Sequence, residues 1–128
     1  MLQAQANYAN TQIQTASPGE LTLLLYNGCI KFIKKALQSM ENQNVHGKHE
    51  NFIKAQNIID ELQSTLNMEY ELSNGLFQLY TYIQEKLSFA NVKMDRAAAE
   101  ECIQLISELR DTWLEALKSL KRGGITTS

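Results

Sequence analysis

Few side chains in this sequence are spaced for chemistry, and each such set has a plainer structural reading. His46, His49 and Glu50 can bind a metal by helical spacing alone, yet they cluster beside a turn, where the solvated start of a helix accounts for them. Those two histidines are the only ones in the chain and lack the Glu-x-x-His motif, so a di-iron bundle is not available. Glu100 with Glu101, and Asp60 with Glu61, read as solvating charges on polar helix faces rather than as acid-base pairs. Cys29 and Cys102 stand far apart in apolar-patterned runs and read as small buried residues. Two thiols make neither a metal cage nor a disulfide framework by themselves, and they fit a reducing cytosol. The chain has no Gly-rich phosphate loop, nucleophile elbow, His-Glu-x-x-His or paired-cysteine motif. No catalytic residue, metal ligand or cofactor is expected, so the chemistry must be that of a binding surface.

Helices must carry that surface. The 128 residues are 44% apolar, enough for the core of one domain, and the lone proline is Pro18, so nothing downstream is obliged to break a helix. Twelve Lys and Arg against 14 Asp and Glu leave a net charge of -2, which gives no broad attraction for nucleic acid or anionic lipid. Apolar runs are interrupted far short of the roughly 20 residues that span a bilayer, so no membrane insertion is expected. The opening residues Met1 to Tyr8 lack the basic and apolar regions of a secretory signal and read as a polar arm.

Ser17-Pro18-Gly19-Glu20 is a helix start: Ser17 as N-cap, Pro18 at the first helical position, Glu20 completing a capping box. Leu23, Tyr26, Ile30, Ile33 and Leu37 then recur at steps of three and four to an end near residue 42, and Gly28 within this run suggests close approach of a neighbouring helix. After a turn over Asn42 to Gly47, Phe52, Ala55, Ile59, Leu62 and Leu66 define a second helix. Leu72, Leu76, Leu79, Ile83, Leu87 and Ala90 define a third, which stops near Asn91 to Met94. Asp95 is the expected N-cap of a fourth, with the stripe Ala99, Cys102, Ile106, Leu109, Trp113, Ala116 and Leu120 and a stop at Gly123-Gly124. Short connections make consecutive helices antiparallel, so the expected fold is an all-α, up-down-up-down four-helix bundle. The expected organisation is an N-terminal arm (1–16), the bundle (17–122) and a flexible tail (123–128).

Some apolar residues exceed what one core seam requires. At about 100° per residue, Ile53 lies far from the stripe of the second helix, and Tyr82 and Phe89 form a second line away from that of the third. Together they suggest a groove for a partner helix.

The run Thr15-Ala16-Ser17-Pro18-Gly19-Glu20-Leu21-Thr22-Leu23-Leu24-Leu25-Tyr26-Asn27-Gly28-Cys29-Ile30-Lys31-Phe32-Ile33 resembles the opening of the flagellin export chaperone family, FliS. Lys54-Ala55-Gln56-Asn57-Ile58-Ile59 with Leu62, Leu79-Tyr80-Thr81-Tyr82 through Asp95, and Leu109-Arg110 with Trp113 resemble its later helices in order, and Tyr8 and Ile13 match ahead of the cap. Asn27 departs from the pattern, standing where members often carry Asp. The resemblance implies an antiparallel bundle in the bacterial cytosol that binds the C-terminal disordered segment of flagellin and prevents its premature polymerisation. It further implies delivery to the export gate protein FlhA, with Tyr8 and Ile13 on an arm that caps the groove and docks at the gate. Ile53, Gln56, Asn57, Ile58, Tyr82 and Phe89 are then the groove candidates. The competing class is a helical adaptor or regulatory module that binds another amphipathic segment.

Overall fold

Ser17 has an extended backbone and its Oγ accepts a hydrogen bond from the Glu20 amide at 3.2 Å, so the cap read from the sequence does start a helix. The computed structural model describes residues 17–127, with side chains through Arg122; the expected arm, with Tyr8 and Ile13, lies outside the described residues. Four helices follow: α1 (Pro18–Glu41), α2 (Val45–Ser64), α3 (Glu71–Lys93) and α4 (Arg96–Thr127).

Local signals explain most boundaries. The Asn44 side chain accepts from the Gly47 amide at 2.9 Å, so α2 begins at Val45, inside the segment expected to be a turn, while Gln43 reverses the chain at φ 57°. Met94 ends α3 in the left-handed conformation, and Asp95 Oδ1 accepts from the Ala98 amide at 3.0 Å to open α4. Helix α4 runs through Gly123 and Gly124 to Thr127, past the expected stop. No described glycine takes the positive φ of a C-cap, and a helical glycine costs only about 1 kcal/mol relative to alanine.

Contacts between helices fix their directions. Gly28 faces Ile58 while Gly47 faces Ser39, so α1 and α2 are antiparallel. Lys48 bonds to Asn91 and Gln63 to Phe77, so α2 and α3 are antiparallel too. Arg96 Nη1 meets Glu41 at 2.7 Å, and Trp113 Nε1–H donates to the Gly19 carbonyl at 2.8 Å, which closes α4 antiparallel against α1. The bundle is therefore a ring in which each helix packs on its chain neighbours and α4 returns to α1.

The core takes one stripe from each helix, with Ile33, Phe52, Ile59, Ile83, Leu87 and Ile106 fully buried. Cys29 and Cys102 lie fully buried in the same core, as the sequence implies. Three expected core positions are not core: Leu72 is 76% exposed, Leu120 is 72% exposed, and Ala116 is exposed as well. All three project at the same end of the ring. At about 1.5 Å per residue the 32-residue α4 is about 48 Å long against about 36 Å for the 24-residue α1, so its last turns pass beyond α1. Leu72, the second residue of α3, stands on the rim of that end.

Candidate functional site

The two ends of the ring are built differently. At one end, the ion pair from Arg96 to Glu41 and the bond from Lys48 to Asn91 hold the termini together. At the other, the start of α1, the end of α2, the start of α3 and the later turns of α4 stand apart around a cleft of 710 Å³. Leu66, Leu76, Leu79, Leu105, Leu109 and Trp113 wall it, each packed against the core from one side and half-buried. A second groove of 390 Å³ runs on between Ser17, Pro18 and Gly19 at the start of α1 and Leu117 and Leu120 on α4, sharing Thr22, Trp113 and Ala116 with the first.

Polar contacts hold the walls in place. The Trp113 bond to Gly19 fixes its indole edge and leaves the ring as wall, and Arg110 Nη1–H donates to Asn27 Oδ1 at 3.2 Å, tying α4 to α1 deeper in the bundle. At the cleft floor the Tyr26 and Tyr80 hydroxyls meet at 2.6 Å, with both residues buried. Burial raises both phenols above their ordinary 10.0, so both stay protonated at neutral pH. The cleft is an apolar receptacle for side chains.

The six groove candidates lie elsewhere, and none of them lines the cleft. Ile53, 39% exposed, and Asn57 face outward on α2. Gln56 belongs to the seam with α3, where Gln84 Nε2–H donates to its carbonyl at 2.8 Å and Gln56 Nε2–H reaches the Gln84 carbonyl at 3.5 Å. Ile58 is half-buried against α1 near Gly28. Tyr82 and Phe89 form one patch on the α3–α4 side, with the Lys86 ammonium 5.7 Å and 5.9 Å from their ring centres. Tyr82 donates its hydroxyl to the Glu101 carboxylate, a hydrogen bond that raises its pKa, and Lys86 stands 3.8 Å from the same carboxylate. The structure thus brings Tyr82 and Phe89 together and distributes the other four over the outer face of α2 and its two seams. Periodicity missed the cleft because a cleft wall and a core stripe both face inward; the sequence counts the apolar positions but not the splay of the helices.

The chemistry-bearing side chains are also accounted for. His49 Nδ1 lies 2.9 Å from the Asn91 side-chain nitrogen, and His46 and Glu50 are 3.9 Å apart at the surface. Among the described residues no three His, Cys, Asp or Glu side chains converge so as to hold a metal, and no helix is long and apolar enough to cross a membrane.

Comparison with known proteins agrees with this architecture. A family model described as flagellar protein FliS matches residues 1–120. The chain is 45% identical over 115 residues to the flagellar secretion chaperone FliS of Bacillus subtilis strain 168, covering 90% of this chain and 86% of that protein. It is 34% identical over 110 residues to the flagellar secretion chaperone FliS of Escherichia coli K12, covering 84% and 81%. A crystal structure of a flagellar chaperone from bacteria superposes with a TM-score of 0.75 at 25% identity, covering 92% of this chain and 98% of that one. With an α-helical bundle and a family match over residues 1–120, the chain belongs to FliS, a family of flagellar secretion chaperones and not of enzymes.

Proposed function

We propose that this protein is a cytosolic export chaperone that binds the C-terminal segment of flagellin, keeps it from polymerising early and delivers it to FlhA at the type III export gate. The observation that carries the reading is the open apolar end of the bundle, a 710 Å³ cleft walled by leucines and a tryptophan. A segment that orders on binding gives up about 2–5 kcal/mol, and each fully buried Leu, Ile or Phe returns about 1.5–3 kcal/mol, so a few client anchors seated there offset the ordering. Ile53 and the Tyr82–Phe89 patch offer further apolar contacts along a client that continues round the bundle, with Gln56, Asn57 and Ile58 on the same path. The arm with Tyr8 and Ile13 joins α1 at Ser17, beside the groove that opens into the cleft, so we assign it as the cover of the empty site and Tyr8 as the gate-docking residue.

Calorimetry with full-length flagellin and with flagellin lacking its C-terminal segment tests the client. The expected result is 1:1 binding that is lost on truncation; equal affinity for both would overturn the assignment. Phe89→Asp, and separately Ile53→Asp, are expected to weaken binding with little change in the denaturation midpoint, because both side chains are substantially exposed in the free protein.

A further inference from the structure

The Tyr26–Tyr80 pair carries one hydrogen more than it uses. Each phenol holds one proton, and a single hydrogen bond between the two oxygens consumes one of them. The hydroxyl that accepts keeps its own proton, and among the described residues neither oxygen makes a second hydrogen bond. Both residues are almost fully buried, at 3% and 2% exposure, and both line the cleft. Among the described residues the spare proton has no acceptor, and the cleft that both residues line is where one can enter. Once an apolar segment seats there and expels water, the proton is stranded unless the segment itself supplies an acceptor.

We infer that the Tyr26–Tyr80 hydroxyl pair selects among client segments by requiring a neutral amide carbonyl oxygen at the floor of the cleft. The inference rests on the flagellin reading above and adds the residues that discriminate within it. A neutral acceptor is required because among the described residues no Lys or Arg lines the cleft, and the one charged lining residue, Glu108, already accepts from Gln104 Nε2 at 3.0 Å. An incoming carboxylate therefore meets an apolar, slightly acidic wall with no counter-charge. An all-hydrocarbon segment leaves the phenolic proton unpaired. Protonation of both phenols is secure, since burial opposes ionisation of either.

The test uses Tyr26→Phe, Tyr80→Phe and the double variant in the full chain, with the C-terminal segment of flagellin as probe. Each single variant leaves a buried hydroxyl without its mate and is expected to lower the denaturation midpoint. The double variant removes both polar groups and is expected to stay near the wild-type midpoint, since replacing both partners by apolar groups of like shape is close to neutral. It is nonetheless expected to bind the segment about tenfold more weakly, the size of one hydrogen bond. Replacing the Asn and Gln residues of the segment by Ala then separates the sources of the carbonyl: loss of the tyrosine dependence identifies a side-chain amide, and its persistence identifies the peptide backbone. Wild-type binding of the segment with equal or tighter binding by the double variant would overturn the inference alone. No binding by the wild type would overturn the client reading, and the inference with it. Should the double variant fold poorly, the ring-carbon Cζ resonances of Tyr26 and Tyr80 in labelled wild-type protein are expected to shift on loading, and unchanged resonances would refute the assignment.

Discussion

Gly28 shows what a single residue can and cannot say from sequence. Its place in the middle of α1 suggests a tight helix crossing, but a methyl built there meets only Ile58 Cδ1, at 3.4 Å, the movable tip of a side chain. The contact is ordinary, so helix propensity decides the outcome: Gly28→Ala is expected to stabilise the protein by up to about 1 kcal/mol, read as a raised denaturation midpoint. A lowered midpoint would mean that Ile58 cannot give way. Ser17 and Asp95 were legible as caps because each satisfies an amide three residues on, a relation that the local sequence contains. The bond from Trp113 to Gly19 spans 94 residues, and the Tyr26–Tyr80 pair spans 54. Such pairings depend on which helices become neighbours and at what height, so the sequence could mark these residues as inward-facing without matching them.

Among the elements, the α2 start shows the same limit. The segment of His46 to Glu50 reads as a solvated helix start, and His46 and Glu50 are exposed, but Lys48 between them is 6% exposed. Its ammonium donates to the Asn91 carbonyl at 2.6 Å, in the last turn of α3, where carbonyls lack helical partners and the dipole favours a cation. Asn91 is buried as well, and its side-chain nitrogen meets His49 at 2.9 Å, so the first turn of α2 clamps the last turn of α3. Lys48→Met keeps most of the stem and removes the charge, leaving the Asn91 carbonyl short of a donor. The expected cost is about 1–3 kcal/mol by chemical denaturation, with helicity unchanged in the native baseline; an unaltered midpoint would show that solvent replaces the ammonium. Helix count, order and the phase of each stripe were legible because the apolar period is a property of each helix alone. Overhang was not: Leu72 and Leu120 continue their stripes faithfully and are exposed because the helices they would face end or diverge.

At the scale of the molecule, an end clamped by charges and caps stands opposite an end that opens, and the two thiols lie in the core outside the cleft lining. Burial pushes both Cys29 and Cys102 from their ordinary 9.0 up to about 12, and it raises Tyr26 and Tyr80 above their ordinary 10.0. The unfolded chain releases the thiol protons near pH 9 while the folded chain still holds them, so above that pH the folded state binds more protons and unfolding becomes easier as pH rises. This contribution to stability is fully present below about pH 9 and is lost progressively towards pH 12, with the phenols adding in the same direction. The denaturation midpoint is therefore expected to be level from pH 7 to 8.5 and to fall from pH 9 upward. A profile that stayed level to pH 11 would contradict the burial of these groups. The same burial predicts that a thiol reagent at pH 8 labels the native protein only as fast as it unfolds. Because neither cysteine lines the cleft, a segment seated there has no need to expose them, and loading is expected to slow labelling through mass-action stabilisation. Faster labelling in the loaded state would mean that the client enters by opening the core rather than by filling the cleft.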